Sequence, residues 1–197
     1  MKLDMVHDIQ TVYRKIVNSM ARPGQLADLS KEADLIEENE AKPFFLLAFT
    51  LFDQEVTFKV LSKNEAAISK LMNQYTYAKP VEMEEADYIF VLKDAEEAAL
   101  KEAIEKAKPG TLKNPHDSAT IFVETDEITN ASTLKLEGPG IQFEEYVHVE
   151  TKRKWVEYRQ MKNQEFPLGV DLMFIDQKHQ LLSLPRTTQI SVNRVMD

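Results

Sequence analysis

Two residues of opposite charge bracket a stretch that otherwise reads as a plain hairpin, FPLGVDLMFIDQKHQLLSLPRTT, residues 166–188. Asp171 stands between valine and leucine in an apolar strand, and Arg186 sits where the return strand ends. A turn centred between Lys178 and His179 sets Ile175 opposite Leu182, Met173 opposite Leu184 and Asp171 opposite Arg186, all on one face. One chemistry for this end is a structural ion pair at the rim of the core, possible in bidentate form, which relieves a carboxylate that is costly to bury alone. The other makes Arg186, with the hydroxyls of Thr187 and Thr188, an oxyanion- or partner-binding corner. Pro185 limits strand pairing and places the second strand at a sheet edge. An exposed edge ending in Arg-Thr-Thr suits a small anion or another subunit.

His116, in NPHDSAT beside Asp117, is the other candidate ligand or general acid/base, against the plainer reading of a loop histidine held by polar caps. His7, His148 and His179 complete the histidines, and no pair has metal-ligand spacing such as HxxxH. Ser118 lacks the glycines of a nucleophile elbow. Lys59 and Lys135 fall on the polar half of alternating strands, which a solvated face explains better than a Schiff base. With no cysteine, a disulfide framework, a thiolate metal site and a Cys-ligated iron–sulfur cluster are excluded on this chain.

The five glycines fall at turns. Gly24, Gly110 and Gly140 occupy RPGQ, KPGT and GPGI, where proline presets the second turn position and glycine supplies the positive φ of the third. Gly138 precedes Pro139, and Gly169 precedes the Asp171 strand. GPG is a poor phosphate cradle, because Pro139 removes the middle N–H donor and the spacing fits neither the dinucleotide fingerprint nor the P-loop.

The elements that position these residues follow from periodicity. Val6, Ile9, Val12, Ile16 and Met20 share one face of a helix over 5–20, stopped by ARPG. Residues 26–41 read as strand fragments and loop. Pro43 opens a helix over 44–52, with a buried strand as the alternative. Alternation in EVTFKVL predicts a strand, and Ser62 with Glu65 forms a capping box for a helix to about Gln74. DYIFVL is a short buried strand, and Asp94 caps the next helix, which carries Glu97–Lys101 and Glu102–Lys106 pairs. Strands are expected at 118–124, 132–137 and 142–149, and a helix at 151–164 whose first turn holds the basic run TKRKW as a solvated face. This order predicts a single α/β domain over 1–197, a mixed β-sheet flanked by helices.

Composition sets the class. Hydrophobic residues make up 43% and charged residues 29% of 197, as in an ordinary globular protein. The net charge of −9 argues against nucleic acid as a partner. The absence of a signal-peptide pattern and of a long apolar run leads to the expectation of a soluble, cytoplasmic protein that neither binds nor spans a membrane.

Five phrases in order, MARPG, KPGTLKNPHDSAT, LKLEGPGI, FPLGVDLMF and LPRTT, resemble the signature of the PhnH subunit family of the bacterial carbon–phosphorus lyase complex, and they span residues 20–188. Arg22, Gly24, His116, Gly138, Gly140, Gly169, Asp171, Arg186 and Thr187 fall within them. The resemblance implies a fold similar to the large domain of pyridoxal-phosphate-dependent transferases but without that cofactor, a homodimer when isolated, and partners of the PhnG, PhnI and PhnJ type. It implies an accessory role in the assembly that transfers ribose triphosphate from ATP to an alkylphosphonate (the alpha-D-ribose 1-methylphosphonate 5-triphosphate synthase assembly), with no cofactor and no catalytic residue of its own. Carbon–phosphorus cleavage then belongs to a partner. The competing expectation is a stand-alone enzyme binding a small anion, phosphonate or nucleotide, through His116 and Arg186. A third, a pyridoxal-phosphate enzyme, needs a lysine at a strand end facing a pocket.

Overall fold

Three segments in the middle and late chain, YIFV, TIFVE and DLMFI, are apolar without alternation, the pattern of strands covered on both faces. A computed structural model, describing residues 3–36 and 41–193, places them side by side at the centre of a sheet. In chain order the elements are α1 (His7–Ala21), β1 (Ala27–Asp28), α2 (Ser30–Ala33), α3 (Lys42–Leu51), β2 (Thr57–Leu61), α4 (Glu65–Thr76), β3 (Lys79–Pro80), β4 (Tyr88–Val91) and α5 (Ala99–Lys106). A 3-10 turn (Pro115–Asp117) leads to β5 (Thr120–Glu124), β6 (Glu127–Glu137), β7 (Glu145–Glu150), α6 (Val156–Lys162), β8 (Asp171–Ile175), β9 (Gln180–Leu184) and β10 (Gln189–Val192).

The main sheet has the order β1-β9-β8-β5-β4-β2-β3. From β8 to β3 its pairs are parallel, while β8–β9 and β9–β1 are antiparallel. A second, antiparallel sheet has the order β10-β6-β7. One face of the main sheet buries Phe58, Val60, Phe90, Phe122 and Met173 under helices that contribute Val12, Phe44, Leu47 and Met72. The other face buries Ile89, Ile121, Leu172 and Phe174 under Leu100 and Ile104 of α5, Trp155, and Leu136, Val147 and Ile190 of the second sheet. Phe90 and Phe122, partners in the β4–β5 register, stack with centroids 5.0 Å apart.

The expected mixed sheet flanked by helices is present, with the second sheet supplying part of one covering layer. The hairpin register differs from the sequence reading by one residue. Leu172 faces Leu184, Met173 faces Ser183, Phe174 faces Leu182 and Ile175 faces Leu181. Consequently Met173 and Ile175 point to the face opposite Leu182 and Leu184. The cause is the turn. Asp176 and Gln180 close three residues instead of two, and His179 takes a left-handed φ of 61°. Asp176 is buried, and its carboxylate accepts the N–H groups of Ile128, Lys178 and Gln180. β9 is also not the outermost strand, since β1 pairs with it through two residue pairs. Further along β9, Ser19 Oγ of α1 accepts the N–H of Ser183 at 3.1 Å.

Other boundaries shift for identifiable reasons. The basic run precedes its helix, because Arg153 is drawn inward to donate to the carbonyls of Leu92, Lys93 and Ala95. α4 starts after Asn64; Ser62 does not cap it but donates to Asp94 at 2.9 Å and accepts the N–H of Asn64. Asp94 is thereby occupied with Ser62 and Lys63, and α5 begins only at Ala99. Four residues of 26–41 form the helix α2; residues 37–40 of that stretch lie outside the described residues.

Candidate functional site

The five signature phrases lie far apart in sequence and meet at one end of the fold. β5 and β8 are parallel, so the segments before Thr120 and Asp171 emerge together at their amino ends. The loop after β9 reaches the same end because β9 runs antiparallel to β8.

Arg186 joins them. Its backbone N–H donates to Asp171 Oδ1 at 2.6 Å, its Nε to the same oxygen at 3.3 Å and one Nη to Oδ2 at 2.8 Å. The other Nη donates to the Pro115 carbonyl at 2.7 Å. The two side chains are 18% and 10% exposed, so this is a largely dehydrated, bidentate pair. The slipped register and the pair coexist because Arg186 lies past the last residue of β9, in a turn that returns its main chain to Asp171.

The other phrases lock onto this joint through backbone approach. An added Cβ at Gly138 would sit 2.9 Å from the Thr187 carbonyl oxygen, and one at Gly140 2.2 Å from that of Ala21. With φ of 132° and 85°, both positions exclude a side chain twice over, by space and by backbone conformation. GPGI and RPGQ close as turns through Ile141 N–H to Gly138 and Gln25 N–H to Arg22. KPGT does not close on itself. Pro109 bridges to Ser118, Thr111 N–H goes to Asn114, and the Gly169 N–H donates to Pro109 at 3.0 Å. Gly110 keeps its positive φ and abuts Pro115. Asn163 completes the joint, exchanging hydrogen bonds with both backbone groups of Val170.

The remaining candidates are spread about. His116 is 78% exposed, with Asp117 at 3.4 Å. Arg22 is exposed, Thr187 is half-buried, and Thr188 is buried. Arg159, unmarked by any sequence pattern, is the hidden member. It is 2% exposed, and donates to the carbonyls of Thr188 at 3.1 Å and Pro185 at 2.6 Å, with Leu184 at 3.5 Å. Burial lowers its guanidinium to about 10, opposed by the nearby Asp171 charge. It rivets the same turn from inside. Charge in the helix EYRQMK reads as solvated, so only the helix docking reveals it.

The opposite end of the sheet holds a crevice. β2 leads through α4 outward to β3, whereas β4 leads through α5 inward to β5, so winding reverses between β2 and β4. Sheets of this type bind ligands at such a reversal, beyond the carboxyl ends. A crevice of about 420 Å³ lies there, lined by Ser62, Asn64, Leu92, Lys93, Asp94 and Glu124 among others. Burial pushes the Glu124 carboxyl up, against the Lys93 N–H that it accepts at 2.8 Å. Lys93 pairs with Asp126 at 2.5 Å. The signature phrases are absent from this lining.

Asp171, Arg186 and the glycine turns therefore define an α/β protein with a parallel-centred sheet and a joint of interlocked turns at its amino-terminal edge. A family model described as Bacterial phosphonate metabolism protein (PhnH) matches residues 2–191. "Putative C-P lyase subunit protein HtxG" of Stutzerimonas stutzeri is 30% identical over 184 residues, covering 93% of this chain and 86% of that one. The chain belongs to the PhnH family.

Proposed function

We propose that the chain is an accessory subunit of a carbon–phosphorus lyase assembly, acting in the transfer of ribose triphosphate from ATP to an alkylphosphonate without a reactive centre of its own. The observation that carries this reading is the fate of Arg186. Arg186, the arginine on which the anion-binding alternative relies, spends its Nε–H and one N–H of each Nη on Asp171 and Pro115. The paired Asp171 carboxylate already offsets the charge that would attract a phosphonate to it. The signature phrases serve architecture, and the HtxG relative, named as a C-P lyase subunit, supplies the assembly.

The carboxyl-end crevice supports the same reading from the other side. Its Asp94 and Glu124 would repel a phosphate or phosphonate, and its lysine is already paired. A pyridoxal-phosphate enzyme would ask Lys93 to leave Asp126. The likeness to the large domain of those transferases, partners of the PhnG, PhnI and PhnJ type, a homodimer when isolated and a cytoplasmic location belong to this reading. Among the described residues no helix is long and apolar enough to cross a membrane.

Leu112 and Phe166, 69% and 75% exposed, extend from the same phrases and give this end apolar area for a partner. Co-expression with candidate partner subunits, followed by purification on this chain, is expected to yield a stoichiometric complex that Phe166→Ala weakens. Turnover of nucleotide or phosphonate by the purified chain alone, lost in Arg186→Ala, would replace this reading with the stand-alone anion-binding enzyme.

A further inference from the structure

At the edge of the helical layer the end of α3 and the end of α4 leave aromatic rings in solvent. Phe49, Phe52, Tyr75 and Tyr77 line one open depression of about 530 Å³ together with Asp53 and Glu55. Tyr75 is 58% exposed and Tyr77 74%. The Tyr75 ring meets Phe49 edge-on at 5.6 Å, and Phe52 is fixed by Phe58, Tyr88 and Phe90 at 5.2–5.6 Å. Asp53 Oδ1 accepts the Glu55 N–H at 2.8 Å, which sets the turn carrying both carboxylates.

Tyr77 is the unexpected residue. It caps α4 at φ 63°, where glycine or asparagine is usual and a Cβ is strained. Its N–H donates to the Asn73 carbonyl at 2.9 Å, so the cap is well made despite the side chain. A strained backbone that carries a large exposed ring signals a requirement beyond folding.

Aromatic faces are electron-rich, and neighbouring carboxylates add formal negative charge. Together they suit a weakly hydrated cation carried on an apolar stem. We propose that this depression receives an arginine side chain from a partner protein. The inference rests on the subunit reading above. Charge selects the occupant, since a chain of net charge −9 draws a basic segment of another protein. Shape agrees, because an open depression grips a side chain delivered on a surface better than it encloses a free small molecule.

Titration of the isolated chain with N-acetyl-arginine amide, followed by amide chemical shifts, is expected to move Glu55, Thr76 and Tyr77 saturably. N-acetyl-glutamate amide should move none of them. Tyr77→Gly relieves the strained cap, so it should melt no lower than the parent while binding the probe about threefold more weakly, the scale of one exposed cation–π contact. Asp53→Asn with Glu55→Gln should weaken the probe as well. Absence of saturable shifts in the parent chain overturns the cation site.

In the co-purified assembly, Tyr75→Ala with Tyr77→Gly should speed dissociation of a partner about tenfold. Unchanged dissociation, with probe binding intact in the parent, overturns the partner as the source and assigns the site to a free cation. If the parent chain forms no assembly, the subunit reading and the partner source fall together, and the titration alone still decides whether the cation site exists.

Discussion

At the residue scale, Asp171 and Arg186 form the joint on which the amino-terminal edge depends. Arg186→Ala leaves a carboxylate 10% exposed with only a main-chain donor, and should cost about 3 kcal/mol in urea unfolding. A double-mutant cycle with Asp171→Ala should recover much of that loss, because the second change removes the stranded charge. Arg159→Lys should also destabilise, by about 2 kcal/mol, since a point charge cannot span the carbonyls that a planar guanidinium reaches. Glu124 gives a pH signature. Its folded-state pKa is raised by burial, so the native state binds the proton more tightly than the unfolded chain. Stability contributed by that proton is present at acid pH and is lost as pH climbs from the ordinary glutamate range through the raised value. Glu124→Gln keeps an acceptor for the Lys93 N–H, so it should gain stability at neutral pH and flatten that decline, read as Tm against pH.

At the element scale, the β8–β9 hairpin shows how a turn fixes a register. A three-residue loop needs one residue in the left-handed region, and His179 fills it at φ 61°. His179→Gly should therefore raise stability by about 0.5–1 kcal/mol, measured by chemical denaturation with an unchanged m-value. The same loop carries Asp176, whose three accepted N–H groups tie the hairpin to the start of β6.

At the scale of the whole molecule, GPGI clasps the end of α1 to the loop joining β6 and β7, linking one covering layer to the other. Gly140→Ala puts a Cβ 2.2 Å from the Ala21 carbonyl oxygen at a φ of 85°. It should cost more than about 2 kcal/mol and weaken both layers together, visible as lost amide-exchange protection in α1 and β7 alike. The molecule thus has two distinct ends. One is consumed by its own hydrogen bonds, and the other holds a crevice with carboxylates.

Local chemistry was readable from the chain alone. The apolar run DYIFVL announced β4, proline–glycine pairs announced φ above zero at Gly24, Gly110 and Gly140, and an aspartate in an apolar strand demanded a cation that Arg186 provides. These follow from forces acting over a few residues. Tertiary packing alone decided the rest. Arg153 and Arg159 became interior clamps because nearby carbonyls needed donors, which no charge count along a helix can reveal. The hairpin slipped because one backbone at His179 went left-handed, a choice worth about 1 kcal/mol locally and enforced by burial on both faces. The meeting of five phrases from residues 20 to 188 is likewise a property of strand order, which periodicity does not encode.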